Sequence, residues 1–233
     1  ELGKHMFCKA VGVLGPKREF GDVAEIRCLN RLIRYVQQPP YKSSEQGYIE
    51  WEADPRHIEI FVAAEGLDPS SKGLSTPGVK ATKDADYTPL SEDERFEYRS
   101  MTMRYADHVQ DRPECQLSAR ELARGMNTPT RWDAAQLRRA VRYLIGAGRL
   151  VQRFMRQPMP SQLVCYTDSD HAGCLKTRKP ISSSFCFWGN HLVRSSSTTQ
   201  AAISLSTGES EFYAAVKTSA AGVGLRSLLA DLN

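Results

Sequence analysis

From residue 162 onward apolar and polar positions alternate in short runs, and the alternation predicts three strands at about 162–168, 183–188 and 191–196. Gly189-Asn190 separates the second from the third as a two-residue turn, so antiparallel pairing is expected. The period then lengthens. A long helix is predicted from about Thr207 to Leu229, crossing one face of the strands through Phe212, Val216, Val223 and Leu228. Upstream, residues 90–148 read as a helical block opened by a capping-box pair, Ser91 and Glu94. Arg112-Pro113 breaks the block, a new helix starts near Cys115, and Asn127–Pro129 breaks it again. Thr130 or a neighbour caps the last helix, which carries Trp132, Leu137, Val141 and Leu144 as its core and ends at Gly146 to Gly148. Residues 68–89 carry no period and are expected to form a linker or an extended surface strap. Asp54-Pro55 opens a shorter helix with Ile58, Phe61, Val62 and Leu67 on its apolar side and Gly66 at its end. Nearer the start two readings compete. Ile26, Leu29, Leu32, Ile33 and Val36 have helical spacing, whereas Pro39-Pro40, a turn over Ser43-Ser44 to Gly47, and Tyr48-Ile-Glu-Trp51 suit a hairpin.

A chain of 233 residues can bury one large core or two small ones. Its net charge of +4 says little, but the distribution says more. Residues 131–156 hold seven arginines against one acid, Asp133, while residues 84–97 hold six acids against Arg95. The arginine-rich stretch, with Arg131, Arg138, Arg139, Arg142, Arg149 and Arg153, is a candidate phosphate-contacting face, because nucleic-acid affinity rests largely on neutralising the backbone. The competing reading is a solvated helix face whose long side chains cover apolar neighbours. Six cysteines without a Cys-x-x-Cys pair point to thiols in a reducing compartment. His171 and Cys174 have a metal-like spacing, but a tetrahedral zinc site needs a second ligand pair that the sequence does not offer. No apolar run approaches the ~18–20 residues of a membrane span, and no signal-peptide pattern opens the chain. Beginning at Glu1, it reads as an excerpt or a processed piece.

The candidate chemistry lies in two places. Leu163–Tyr166 is a β-prone run that ends in Asp168 and Asp170, and the last helix starts with Glu209 and Glu211. Hard cations such as Mg²⁺ take oxygen ligands from different parts of a chain, so an acidic strand end beside an acidic helix start makes a candidate metal site. Glu209 and Glu211 are about 200° apart around a helix and cannot serve one ion together. Ser206-x-x-Glu209 fits a capping box, which gives Glu209 a structural task. Asp170 lies ~6–7 Å beyond Asp168 along an extended strand and has an alternative as a turn residue.

The same residues resemble the ribonuclease H region of copia-type LTR retrotransposon Pol polyproteins. Tyr166-Thr-Asp168-Ser-Asp170-His171-Ala-Gly173 resembles that family's Tyr-Ser-Asp-Ala-Asp-Trp-Ala-Gly, with His171 as an expected packing substitute for Trp. Arg178-Lys179-Pro-Ile-Ser-Ser-Ser184, Ser197-Thr-Thr-Gln200 and Ser204-Leu-Ser-Thr-Gly-Glu209-Ser-Glu211-Phe212 follow in the family's order. Upstream, Thr76-Pro-Gly78, Tyr98-Arg-Ser and Asp111-Arg-Pro113 are similar to its thumb and connection, and Ala119–Met126 and Ala140–Leu144 to the two helices after it. The resemblance favours the hairpin near the start. It implies an α+β chain: a late palm-like, β-rich segment at 1–67, a linker at 68–89, a helical thumb/connection at 90–160, and a truncated ribonuclease H-like unit of three antiparallel strands plus one long helix at 161–233.

In that family, the resemblance implies, two Mg²⁺ ions held by four carboxylates hydrolyse the RNA strand of RNA–DNA hybrids. It assigns ligand roles to Asp168 and to Glu211, whose Glu-Phe-Tyr-Ala setting is similar to the family's. The third and fourth carboxylates are expected beyond Asn233, since Asp231 stands ~30 Å along the same helix from Glu211. No Tyr-x-Asp-Asp polymerase motif is present. A lysine expected near Thr199 and a glycine expected within 182–184 are missing, and Glu114 replaces an expected aspartate. The expected partners are nucleic acid, RNA–DNA hybrid first, and the remaining polyprotein segments, without a membrane. The expected location is the cytoplasm, in a virus-like particle, with the nucleus as the alternative. A non-catalytic remnant, at most a basic nucleic-acid-binding module, is the competing reading.

Overall fold

A computed structural model describes residues 48–232 except 69, 81–83, 156, 159, 175 and 176. The competing helix and hairpin readings of the first residues lie outside this range, apart from a strand β1 at Tyr48–Glu52. The chain divides into two compact units, Trp51–Gln152 and, of the described residues, 48–50 with 153–232. The architecture is α+β.

In the first unit, α1 (Arg56–Ala64) buries Phe61 and Val62, and Gly66 ends it at a φ of +56° that a β-carbon would disfavour. α2 (Glu92–His108) begins with both halves of the expected capping box: the Glu94 amide donates to Ser91 Oγ, and the Ser91 amide donates to the Glu94 carboxylate. Pro113 interrupts the helical run, leaving two 3₁₀ turns at Val109–Asp111 and Pro113–Cys115 before α3 (Gln116–Gly125). Thr130 and Asp133 form a second capping box at the start of α4 (Arg131–Ala147). Phe61, Tyr105, Leu122, Leu137, Val141 and Leu144 meet in one core. Trp132, expected there, is only half-buried, because the inward stripe of α4 passes through Asp133, Leu137, Ala140 and Leu144, about 100° away.

Residues 72–79 form a strap along α4. Leu74 donates its amide to Arg142 O at 3.3 Å, Arg142 donates to Lys72 O at 3.0 Å, and Arg139 donates to Thr76 Oγ1 at 2.9 Å. The strap crosses the helix where two glycines touch: a β-carbon on Gly146 would sit 2.8 Å from Gly73 Cα. Gly146→Ala, which in an ordinary helix interior gains ~1 kcal/mol, is expected here to destabilise by about 1–3 kcal/mol. Urea unfolding monitored by helical circular dichroism would show the sign.

β2 (Val151–Met155), absent from the sequence reading, pairs with β1 in a two-stranded sheet. In the first unit Arg149 donates to Glu52 at 2.5 and 2.7 Å. In the second, Arg153 donates to Glu50 at 2.7 Å and lies 4.5 Å over the Tyr48 ring.

The second unit carries β3 (Leu163–Asp170), β4 (Ile181–Trp188) and β5 (His191–Thr199), paired antiparallel in that order, with Gly189 at φ +59° in the expected turn. α5 (Thr207–Leu232) lies chiefly over β3. Its inward face is not the expected one. Ser210, Ala214, Thr218, Leu225 and Leu229 are buried and Leu228 is half-buried, whereas Phe212, Val216 and Val223 are more than half exposed. Close approach explains this. A β-carbon on Gly222 would sit 3.3 Å from Cys165 Sγ, leaving no room for a large residue on that side. The groove between sheet and helix is correspondingly polar. Gln200 donates to Ser182 Oγ at 2.9 Å and to Ser210 O at 2.7 Å, and Thr218 donates to Thr167 Oγ1 at 3.0 Å.

Candidate metal and nucleic-acid site

β3 is one of the two edge strands of its sheet among the described residues, and α5 starts beside its C-terminal half. The result is an open cleft of ≈ 540 Å³ bordered by Thr167, Asp168, Gly208, Glu211, Phe212 and Ala215. Asp168 from the strand and Glu211 from the helix, two of the sequence-identified acids, both border it. Thr167 faces α5, so Asp168, the next residue of an alternating strand, belongs to the opposite face and borders the cleft at the sheet edge. Gly208 leaves the near wall of the cleft open, since a β-carbon there would meet nothing within 4 Å. Phe212, 66 % exposed, forms an apolar lip.

The other two acids are engaged elsewhere. Glu209 receives the Leu205 amide at 2.6 Å while its own amide donates to Ser206 Oγ at 3.1 Å, the capping role expected of it. Asp170 ends β3 in a tight turn: the Gly173 amide donates to Asp170 O at 3.1 Å, and a β-carbon on Gly173 would sit 2.5 Å from Asp170 Oδ2. His171 Nδ1 is 3.0 Å from Ser204 Oγ, which ties that turn to the segment leading into α5. Among the described residues no group of three or more His, Cys, Asp or Glu side chains is poised to hold a metal.

All six arginines of the candidate phosphate face have protein partners. Arg131 pairs with Glu94 at 3.0 Å, Arg138 with the Glu65 carbonyl at 2.5 Å and its carboxylate at 3.7 Å, and Arg139 and Arg142 hold the strap. Arg149 and Arg153 hold Glu52 and Glu50. Burial raises the Glu65 carboxyl above its ordinary range, and Arg138 opposes that. The hydrogen bond from Arg149 lowers Glu52. Sequence reasoning found the arginines by their density but missed these partners, most of which are tens of residues away.

No family model and no solved structure matches the chain. A stretch of 163 residues, 70 % of the chain, is 25 % identical to the retrovirus-related Pol polyprotein from transposon RE1 of Arabidopsis thaliana. The chain spans 11 % of that protein's length. The similarity to that transposon Pol polyprotein is distant. No helix among the described residues is long and apolar enough to cross a membrane.

Proposed function

We propose that the chain is a segment of a copia-type retrotransposon polyprotein, contributing part of a ribonuclease H centre that acts on RNA–DNA hybrids. One observation carries this reading: Asp168 and Glu211, 43 positions apart and on different elements, border the same open cleft. Two carboxylates are a number that one Mg²⁺ ion commonly takes, with water or substrate phosphate oxygens in its remaining positions. That number does not suit two ions, which the resemblance implies need four carboxylates. A Mg²⁺ ion bound there would polarise a phosphate oxygen and acidify a coordinated water. The chain's own residues do the positioning. The β3–β4 ladder holds the backbone at Asp168 opposite Ser183, and the Ser206–Glu209 cap fixes the helix start that carries Glu211.

The second reading, a non-catalytic nucleic-acid-binding remnant, is favoured by the count of two carboxylates. It is weakened by the pairing of the arginines, because internal carboxylates already offset part of their charge.

Fluorescence anisotropy with a labelled RNA–DNA hybrid separates the two. Affinity is expected to tighten severalfold when Mg²⁺ replaces EDTA, and Asp168→Asn is expected to remove that increment. Binding that is equal in Mg²⁺ and EDTA would leave only the remnant reading.

A further inference from the structure

Two cysteines lie directly opposite each other beneath α5. The β3–β4 register pairs Cys165 with Cys186, and their sulfurs are 3.0 Å apart. Directly opposed residues of an antiparallel pair have Cα atoms about 4.5–5.5 Å apart, inside the roughly 4.4–6.8 Å that a disulfide spans. No backbone movement is needed to bring the sulfurs together, since they already touch. Cys186 is fully buried and Cys165 is half-buried, which gives the pair one partner open to a reagent and one shielded from it. The other described thiols are placed differently. Cys174 is buried and its sulfur accepts from the Thr177 amide at 3.2 Å and hydroxyl at 2.9 Å. Cys115 is buried in the other unit, where burial pushes its thiol up to about 11.

We propose that Cys165 and Cys186 are a reversible dithiol/disulfide site whose co-reactant is a small-molecule disulfide of the glutathione type. Cys165, the accessible member, attacks one sulfur of the reagent as its thiolate. The reagent's S–S bond breaks, releasing one small thiol and leaving a mixed disulfide on Cys165. The Cys186 thiolate then attacks Cys165 Sγ, forming the protein disulfide and releasing the second small thiol. Two electrons pass from the cysteine pair to the reagent, and the two cysteine protons leave with the released thiols. The bond ties β3 to β4 three positions before Asp168, next to Gly222 of α5, so the strand end that borders the cleft becomes covalently fixed to its neighbour.

The test is to equilibrate the folded chain with oxidised and reduced glutathione in varying ratio, quench with acid, block remaining thiols with a maleimide, and map peptides by mass spectrometry. The site predicts a Cys165–Cys186 crosslinked peptide that accumulates as the oxidised fraction rises and disappears with excess dithiothreitol. Cys186→Ser should stop the reaction at glutathione on Cys165, and Cys165→Ser should leave Cys186 alkylated by maleimide only after unfolding. Three results overturn the proposal: glutathione retained on Cys165 of the unaltered chain, both cysteines staying alkylatable at every ratio, or Cys165 crosslinked to a different cysteine.

Discussion

Replacing Phe61 with alanine is expected to remove about 3–5 kcal/mol from the stability of the Trp51–Gln152 unit. Phe61 has no exposed surface. Its ring meets Tyr105 edge-on with centroids 6.0 Å apart and His108 at 5.9 Å. These contacts seat α1 on α2, and Tyr105 passes them on to α3 through the 2.9 Å hydrogen bond between its hydroxyl and Ser118 Oγ. A truncated side chain leaves a void that neither ring can fill, because each is fixed by its own helix. Against a typical domain stability of about 5–15 kcal/mol, the loss is severe. Chemical denaturation should show a large drop in midpoint with little change in slope. A shift worth under ~1 kcal/mol would mean that α1 is not part of the cooperative core.

Acidification is the second large effect. His108 is 3 % exposed and neither ring nitrogen has a hydrogen-bond partner among the described residues. Burial first, then the Arg112 and His57 charges, lowers its pKa from 6.5 to about 4, with Asp107 and Asp54 opposing weakly. The unfolded chain therefore takes up the proton first as pH falls. The stabilisation is complete above pH 6.5 and is lost progressively down to about pH 4. At ~1.4 kcal/mol per pH unit the full loss is about 3 kcal/mol, with about 2 kcal/mol gone by pH 5. Stability measured from pH 7 to pH 4.5 should fall accordingly, and His108→Leu should flatten the fall. An unaltered chain equally stable at pH 7 and pH 5 would show that His108 is hydrated.

The sequence revealed those features whose cause is local. The capping box at Ser91, the Ser206 half of the one expected with Glu209, the turn at Gly189-Asn190 and the acidic end of β3 were each visible from a few neighbouring residues, and all are present. Features set by distant partners were not. β2 is five residues long, and its partner strand lies about a hundred positions earlier. The buried side of α5 was misread because hydrophobicity suggested Phe212 and Val216, whereas the close helix–sheet approach selects Ser210, Ala214 and Gly222. The turn-residue alternative for Asp170 was local as well, and the structure places it in a turn against Gly173.

The most direct test of the central claim, that Asp168 and Glu211 share one cation, uses Mn²⁺ as a paramagnetic stand-in for Mg²⁺ on isotope-labelled protein. The account predicts saturable line broadening confined to amides around Thr167–Asp168 and Gly208–Phe212, competed away by Mg²⁺ and abolished by Asp168→Asn or Glu211→Gln. Broadening centred elsewhere, or unchanged in both variants, would contradict it.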